Sequence, residues 1–242
     1  MIDLYSGTPG SGKSLEVARD IVFWLTTKKK NVVANFAVDT DQFFYSKFTK
    51  KKKETGTFTF VDNEFLTVEY LYAYAKKNHV RGKEGQTLLV VDEAQMIFSP
   101  TVMKIKMAED KYFRVSWLKF MTLHRKFGFD IILVSQFDKL IDAQVRCVLE
   151  NNVIHRKVNN FKIGWLLSIF KISIFVSVNY WYGINTKTEA HFFTYSKKYS
   201  KIYDSYKVFD TSQDSFSFDS DKKDKAKVTA LEEPIEKKEV IA

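Results

Sequence analysis

One cysteine, Cys147, stands among 242 residues. An internal disulfide framework is thereby excluded, and such sparing use suits a reducing compartment. The residue itself reads as a small buried hydrophobe. A leader-like segment is lacking as well: Ile2 to Ser6 already forms a strand-like run that enters a glycine-rich loop, so no signal peptide is expected. The part carrying that loop is expected in cytoplasm. An unbroken apolar run is also lacking. The nearest rival, Ile163 to Ile184, has bilayer-spanning length but is interrupted by Lys171, Ser173, Ser177 and Asn179. Within it Ile172, Ile174, Val176, Val178 and Tyr180 alternate with Ser173, Phe175, Ser177 and Asn179. Period two predicts strands, with Gly183 near a hairpin turn. Insertion of 163–184 into a membrane stays open, because Tyr180-Trp181-Tyr182 with nearby lysines also suits a lipid interface.

Acidic excess is absent too. The net charge is +9 and the pI about 9.3. From Asp219 onward six lysines face seven acids, so the preceding part carries the whole excess. A basic body favours polyanionic company, either nucleic acid or an anionic membrane surface. What the chain has in quantity is apolar mass: 45% hydrophobic residues, with 22 Phe and 12 Tyr, support a packed core rather than disorder. Its length fits one α/β domain of ordinary size plus a small appendage. From Thr211 on, Ser, Asp, Lys and Glu dominate, and residues 211–242 read as a disordered polar tail.

Gly7-Thr8-Pro9-Gly10-Ser11-Gly12-Lys13-Ser14 fits the phosphate-loop pattern of a glycine, four residues, then Gly-Lys-Ser/Thr. Its glycines let consecutive backbone N–H groups turn inward on a polyphosphate. Lys13 adds a cation for the β- and γ-phosphates, and the Ser14 hydroxyl is a hard oxygen ligand for Mg²⁺. The context agrees. Strand-like Ile2 to Ser6 precedes the loop, and Leu15, Val17, Ala18, Ile21, Val22 and Leu25 follow with helical spacing. A helix starting near Lys13 points the positive end of its dipole at the bound anion. The motif predicts nucleotide binding.

Further along, Lys28-Lys29-Lys30 suits the helix C-terminus, and Asn31 to Asn35 reads as a second buried strand. Lys50 to Lys53 is either a solvated loop or a phosphate-contacting tip. Thr67 to Asn78 predicts a helix capped by Thr67. Then comes Leu88-Leu89-Val90-Val91-Asp92-Glu93-Ala94-Gln95. Four aliphatics in a row make a strand buried on both faces, as a parallel sheet requires. An aspartate at its carboxyl end lies where open α/β sheets bind ligands. The run resembles a Walker B motif, in which Asp92 holds the Mg²⁺ shell beside Ser14, while Glu93 is placed to take a proton from water. A helix is expected near Val115 to Arg125. Asp130 to Gln136 predicts another strand, with Gln136 at its tip as a sensor of the γ-phosphate or, more plainly, as a turn cap. Arg125 and Arg146 are two of only six arginines; each is a candidate arginine finger or a plain surface charge.

Together GTPGSGKS, LLVVDEAQ, LHRKFGFDIILVSQ, FDKLIDAQVR and KIYDSYKVF resemble the zonular occludens toxin (Zot) family, which includes the assembly ATPases of filamentous phages. The resemblance spans roughly residues 1–210. It implies a three-layer α/β/α P-loop NTPase with a mostly parallel sheet, an added strand between the phosphate-loop and Asp-Glu strands, and a catalytic glutamate. Residues 1–150 would form the ATPase core and 151–210 a β-rich extension. It further implies ATP and Mg²⁺ as ligands, with Lys13 and Ser14 serving the nucleotide, Asp92 the metal, Glu93 the water and Gln136 the sensor position. The implied partners are further copies in a ring-like homo-oligomer, phage single-stranded DNA with its coat or packaging proteins, and the cytoplasmic face of the host inner membrane. A double-stranded DNA packaging motor and a membrane-active, toxin-like protein with a secondary nucleotide site are the rival readings.

Overall fold

The computed structural model describes residues 1–39, 44, 54–158, 173–184 and 186–202. All lie in one compact unit, Met1–Tyr203. Lys50 to Lys53, residues 163–172, the part of KIYDSYKVF beyond Ile202, and the tail 211–242 fall outside the described residues.

Eight strands make one sheet in the order β3-β2-β4-β5-β1-β6-β7-β8. They are β1 (Ile2–Ser6), β2 (Asn31–Ala34), β3 (Phe58–Phe60), β4 (Thr87–Val91), β5 (Phe129–Val134), β6 (Asn151–Lys157), β7 (Ile174–Trp181) and β8 (Thr186–Thr194). From β3 through β6 every pairing is parallel, and β7 and β8 add an antiparallel hairpin. Strand β5 lies between β1 and β4, so the sheet has the added strand implied by the family resemblance. In β7, Phe175, Val176 and Ser177 are buried in succession, and Gly183 takes φ 90° just past its end. The hairpin continues the main sheet without a break.

Helix α1 (Lys13–Thr26) lies on one face; α2 (Val68–Asn78), α4 (Pro100–Glu109) and α5 (Phe113–Thr122) cover the other, after the short α3 (Gln95–Phe98). Parallel strands are buried on both faces, and alternate residues divide between two cores. Leu88 and Val90 of β4 pack with Val17, Ile21, Trp24 and Leu25 of α1. Leu89 and Val91 pack with Leu71, Met103, Trp117 and Phe120. The four aliphatics of β4 are therefore shared by both layers, which is why no polar position interrupts them. Thr67 caps α2 by accepting from the Tyr70 N–H at 3.2 Å.

Three local expectations change. The Lys28 ammonium sits 3.9 Å from the Trp24 ring centroid rather than inside the last turn of α1, a cation–π contact in place of a dipole contact. Helix α5 ends at Thr122, and Leu123 to Gly128 returns to the sheet through turns. Cys147 is exposed, not buried. It follows α6 (Ala143–Arg146), a single turn whose inward position is taken by Val145.

Candidate nucleotide-binding site

The carboxyl edge of the parallel strands gathers the predicted residues. Between β1 and α1 the chain folds over itself: the Ser11 N–H donates to the Thr8 carbonyl at 3.1 Å, and the Gly7 N–H to the Gln136 carbonyl at 3.1 Å. Gly7 has no room for a side chain. Its φ is +145°, and a Cβ there would stand 2.5 Å from the His155 carbonyl oxygen on β6. Gly12, at φ +101°, forms the left-handed entry to α1 against the Phe175 ring. Glycine is needed at both positions by packing as well as by torsion. Ser11 is 2% exposed, and its hydroxyl has no partner among the described residues. Ser14 is half-buried in the first turn of α1.

Lys13 folds back on the loop, donating to the carbonyls of Gly7 at 2.5 Å and Thr8 at 3.2 Å. Burial lowers its pKa, against the opposing pull of Glu93 and Asp92. Those two acids follow β4. Desolvation raises Asp92 to about 6, and the Glu93 charge pushes the same way, while a Glu93 backbone hydrogen bond and Lys13 oppose the rise. A carboxylate in that condition is suited to a nearby cation. The peptide of Asp92 is clamped from β2: its N–H donates to Asn35 Oδ1 at 2.7 Å, and Asn35 Nδ2 donates to its carbonyl at 2.8 Å.

Glu93 adopts φ 45°, the left-handed conformation that a residue with a Cβ rarely holds. Its carboxylate accepts from Gln95 Nε2. Gln95 Oε1 in turn accepts from Ser135 Oγ at 3.0 Å, and the Ser135 N–H donates to the Tyr5 carbonyl at 3.0 Å. A relay of side chains thus ties the exposed carboxylate to the tip of β5. Gln136 follows immediately, with its main chain joined to Gly7.

The two arginines are not brought here. Arg125 pairs with Glu150 at 2.6 Å, beside the Met1 ammonium and Asp130, at the amino edge of the sheet. Arg146 lies at the end of α6, 4.0 Å from Asp138. Asn35, Gln95 and Ser135 are functional candidates that motif reading missed. Gln95 lay within the quoted DEAQ run, but its orientation toward Glu93 depends on the β4–β5 pairing. Behind the loop, His155 Nε2 lies 2.7 Å from Glu16 Oε2, and Ser177 Oγ donates to Glu16 Oε1 at 3.0 Å. This cluster is buried between α1 and the β6–β7 strands and braces the loop from below.

Residues 1–211 match the family model described as zonular occludens toxin (Zot). The chain belongs to the Zot family. Among solved structures, the Zot-family chain resembles an ATPase domain with a TM-score of 0.51, at 9% identity over 82% of each chain. That likeness, together with the sheet order, gives it the fold of a P-loop NTPase. The N-terminal domain of zonular occludens toxin from Neisseria meningitidis aligns at 18% identity, TM-score 0.48, over 84% of this chain and 98% of that one. The DNA-packaging ATPase of Sulfolobus turreted icosahedral virus aligns at 16% identity, TM-score 0.49, over 78% and 96%. No curated protein matches the chain.

Proposed function

We propose that the protein is an ATP-hydrolysing motor whose reaction centre is formed by Gly7 to Ser14, Asp92 and Glu93. One observation carries the reading: a phosphate loop and a left-handed, hydrogen-bonded glutamate share the same sheet edge, two strands apart. In this reading the loop N–H groups and the Ser11 hydroxyl bind the polyphosphate, and Lys13 exchanges its Gly7 and Thr8 carbonyls for phosphate oxygens. Ser14 and Asp92 fit Mg²⁺, since both offer hard oxygens and the Asp92 charge is disfavoured by desolvation. Bound there, Mg²⁺ would neutralise charge on the β- and γ-phosphates. Glu93 accepts the proton of the attacking water, and Gln95 holds its carboxylate in place. Gln136 is the candidate γ-phosphate sensor, because its main chain already follows the position of Gly7.

Membership of the Zot family supports a place in filamentous-phage morphogenesis, with hydrolysis driving extrusion of single-stranded DNA at the cytoplasmic face of the host membrane. The basic charge of +9 suits both that polyanion and that surface. Among the described residues no helix is long and apolar enough to cross a membrane. Docking on the membrane surface and assembly into a homo-oligomer complete the proposal.

The test is phosphate release by the purified protein, with and without DNA. Glu93→Gln is expected to retain ATP but lose turnover, and Lys13→Ala to lose ATP itself. Wild-type hydrolysis by Glu93→Gln would remove that residue from its role. Stimulation by double-stranded but not single-stranded DNA would overturn the extrusion reading.

A further inference from the structure

A second concavity opens on the same edge of the sheet. It measures about 440 Å³ and is lined by Arg19 of α1, Ile174, Phe193 and Thr194 of the β7–β8 hairpin, and Ser196 and Tyr199 near α7 (Lys197–Ser200). Ile174 opens β7 and pairs with Thr194, which closes β8. Phe175 pairs with Lys157, the last residue of β6. These pairings put the hairpin wall of the cleft at the carboxyl ends of β6 and β8. Its volume is that of a small-molecule site.

Direction comes from the acids. Asp92 and Glu93 follow β4, on the β5 side of the loop, whereas β6, β7 and β8 lie on the other side. A triphosphate whose γ end meets Glu93 therefore turns its nucleoside end toward the hairpin. Buried rings pack between the loop and the cleft. The Phe175 ring lies against Gly12, where a Cβ would stand 2.8 Å from it. Phe175 stacks on Phe193, with centroids 5.5 Å apart and planes at 27°. The Arg19 guanidinium stands 5.5 Å from the Phe193 centroid.

We infer that the cleft between α1 and the β7–β8 hairpin holds the base and sugar of the bound nucleotide. The inference rests on the phosphate-loop reading above. The guanidinium of Arg19 offers a flat cationic face and N–H donors for the ring nitrogens of a purine. Phe193 and Tyr199 supply aromatic walls, and Thr194 and Ser196 offer hydroxyls to the sugar. The β7–β8 hairpin then has a role in the reaction: it sets the affinity for a nucleoside over a bare polyphosphate.

Titration calorimetry with Mg·ATP and with Mg·tripolyphosphate tests this on the full chain. Arg19→Ala removes the cation at a helical position where alanine is well tolerated. Thr194→Trp fills the cleft from an exposed position at the end of an edge strand. Each variant is expected to lose about tenfold in affinity for ATP, the worth of one stacked base, with tripolyphosphate affinity unchanged. Unaltered ATP affinity in both variants would overturn the inference and leave the phosphate loop standing. So would a parallel loss of both ligands, which would assign these residues to the fold. A wild-type protein that binds neither ligand would overturn the phosphate-loop reading, and this inference with it.

Discussion

Glu93 offers a sharp prediction, because its backbone and its side chain make separable demands. At φ 45° its Cβ is crowded against the following carbonyl, a conformation that costs an L-residue roughly 1–2 kcal/mol. Glycine relieves that crowding but adds about 0.5–1 kcal/mol of unfolded-state freedom. The comparison that isolates the torsion is Glu93→Gly against Glu93→Ala, since both lose the carboxylate and its bond from Gln95. The glycine variant should be the more stable by about 0.5–1 kcal/mol. In a domain of this size that corresponds to roughly 1–4 °C in Tm. Both variants should lose about 10²- to 10⁴-fold in ATP turnover, the usual contribution of a positioned base. Differential scanning calorimetry and a phosphate-release assay read the two effects independently. A glycine variant that melts at or below the alanine variant would refute the strain. An alanine variant with ordinary turnover would refute the chemistry.

Asn35→Ala leaves the Asp92 N–H and carbonyl without their clamp, so stability should fall by about 2–3 kcal/mol in chemical denaturation, with a matching loss of ATP turnover. Gly7→Ala places a methyl on the His155 carbonyl at a strained φ; loss of ATP affinity and about 2 kcal/mol or more of stability should appear together. Asp20 predicts a pH effect. Burial raises it from 3.8 to about 7, even though it accepts from the Tyr5 hydroxyl at 2.8 Å. Between those values the folded state holds a proton that the unfolded state releases, so its contribution weakens the protein as pH rises from about 4 to about 7. Asp20→Asn should gain on the wild type progressively across that window, by about 4 kcal/mol at pH 8; a constant difference between the two melting curves would exclude it.

What the sequence made legible was written in adjacent residues. The spacing of Gly7, Gly12 and Lys13, and the four aliphatics before Asp92, are local patterns that need no partner to be recognised. Period two in 172–180 likewise found the strand β7. The parts that stayed hidden depend on which strands meet. Asn35 clamps Asp92 across fifty-seven positions only because β2 pairs with β4. Ser135 reaches Gln95 only because β5 neighbours β4. Arg125 pairs with Glu150, twenty-five positions away, only because both lie at the amino edge of the sheet. Strand β3 and helix α4 carried signals too weak to notice: three residues in one, and a single buried Met103 in the other.

We propose that the loop from Gly7 to Ser14 grips a nucleoside triphosphate through Lys13. The decisive measurement is calorimetric titration of folded wild-type protein and its Lys13→Ala variant with ATP and magnesium. Saturable heat from the wild type, absent from the variant, is the expected result. A flat titration of the folded wild type, or equal binding by both, would contradict it.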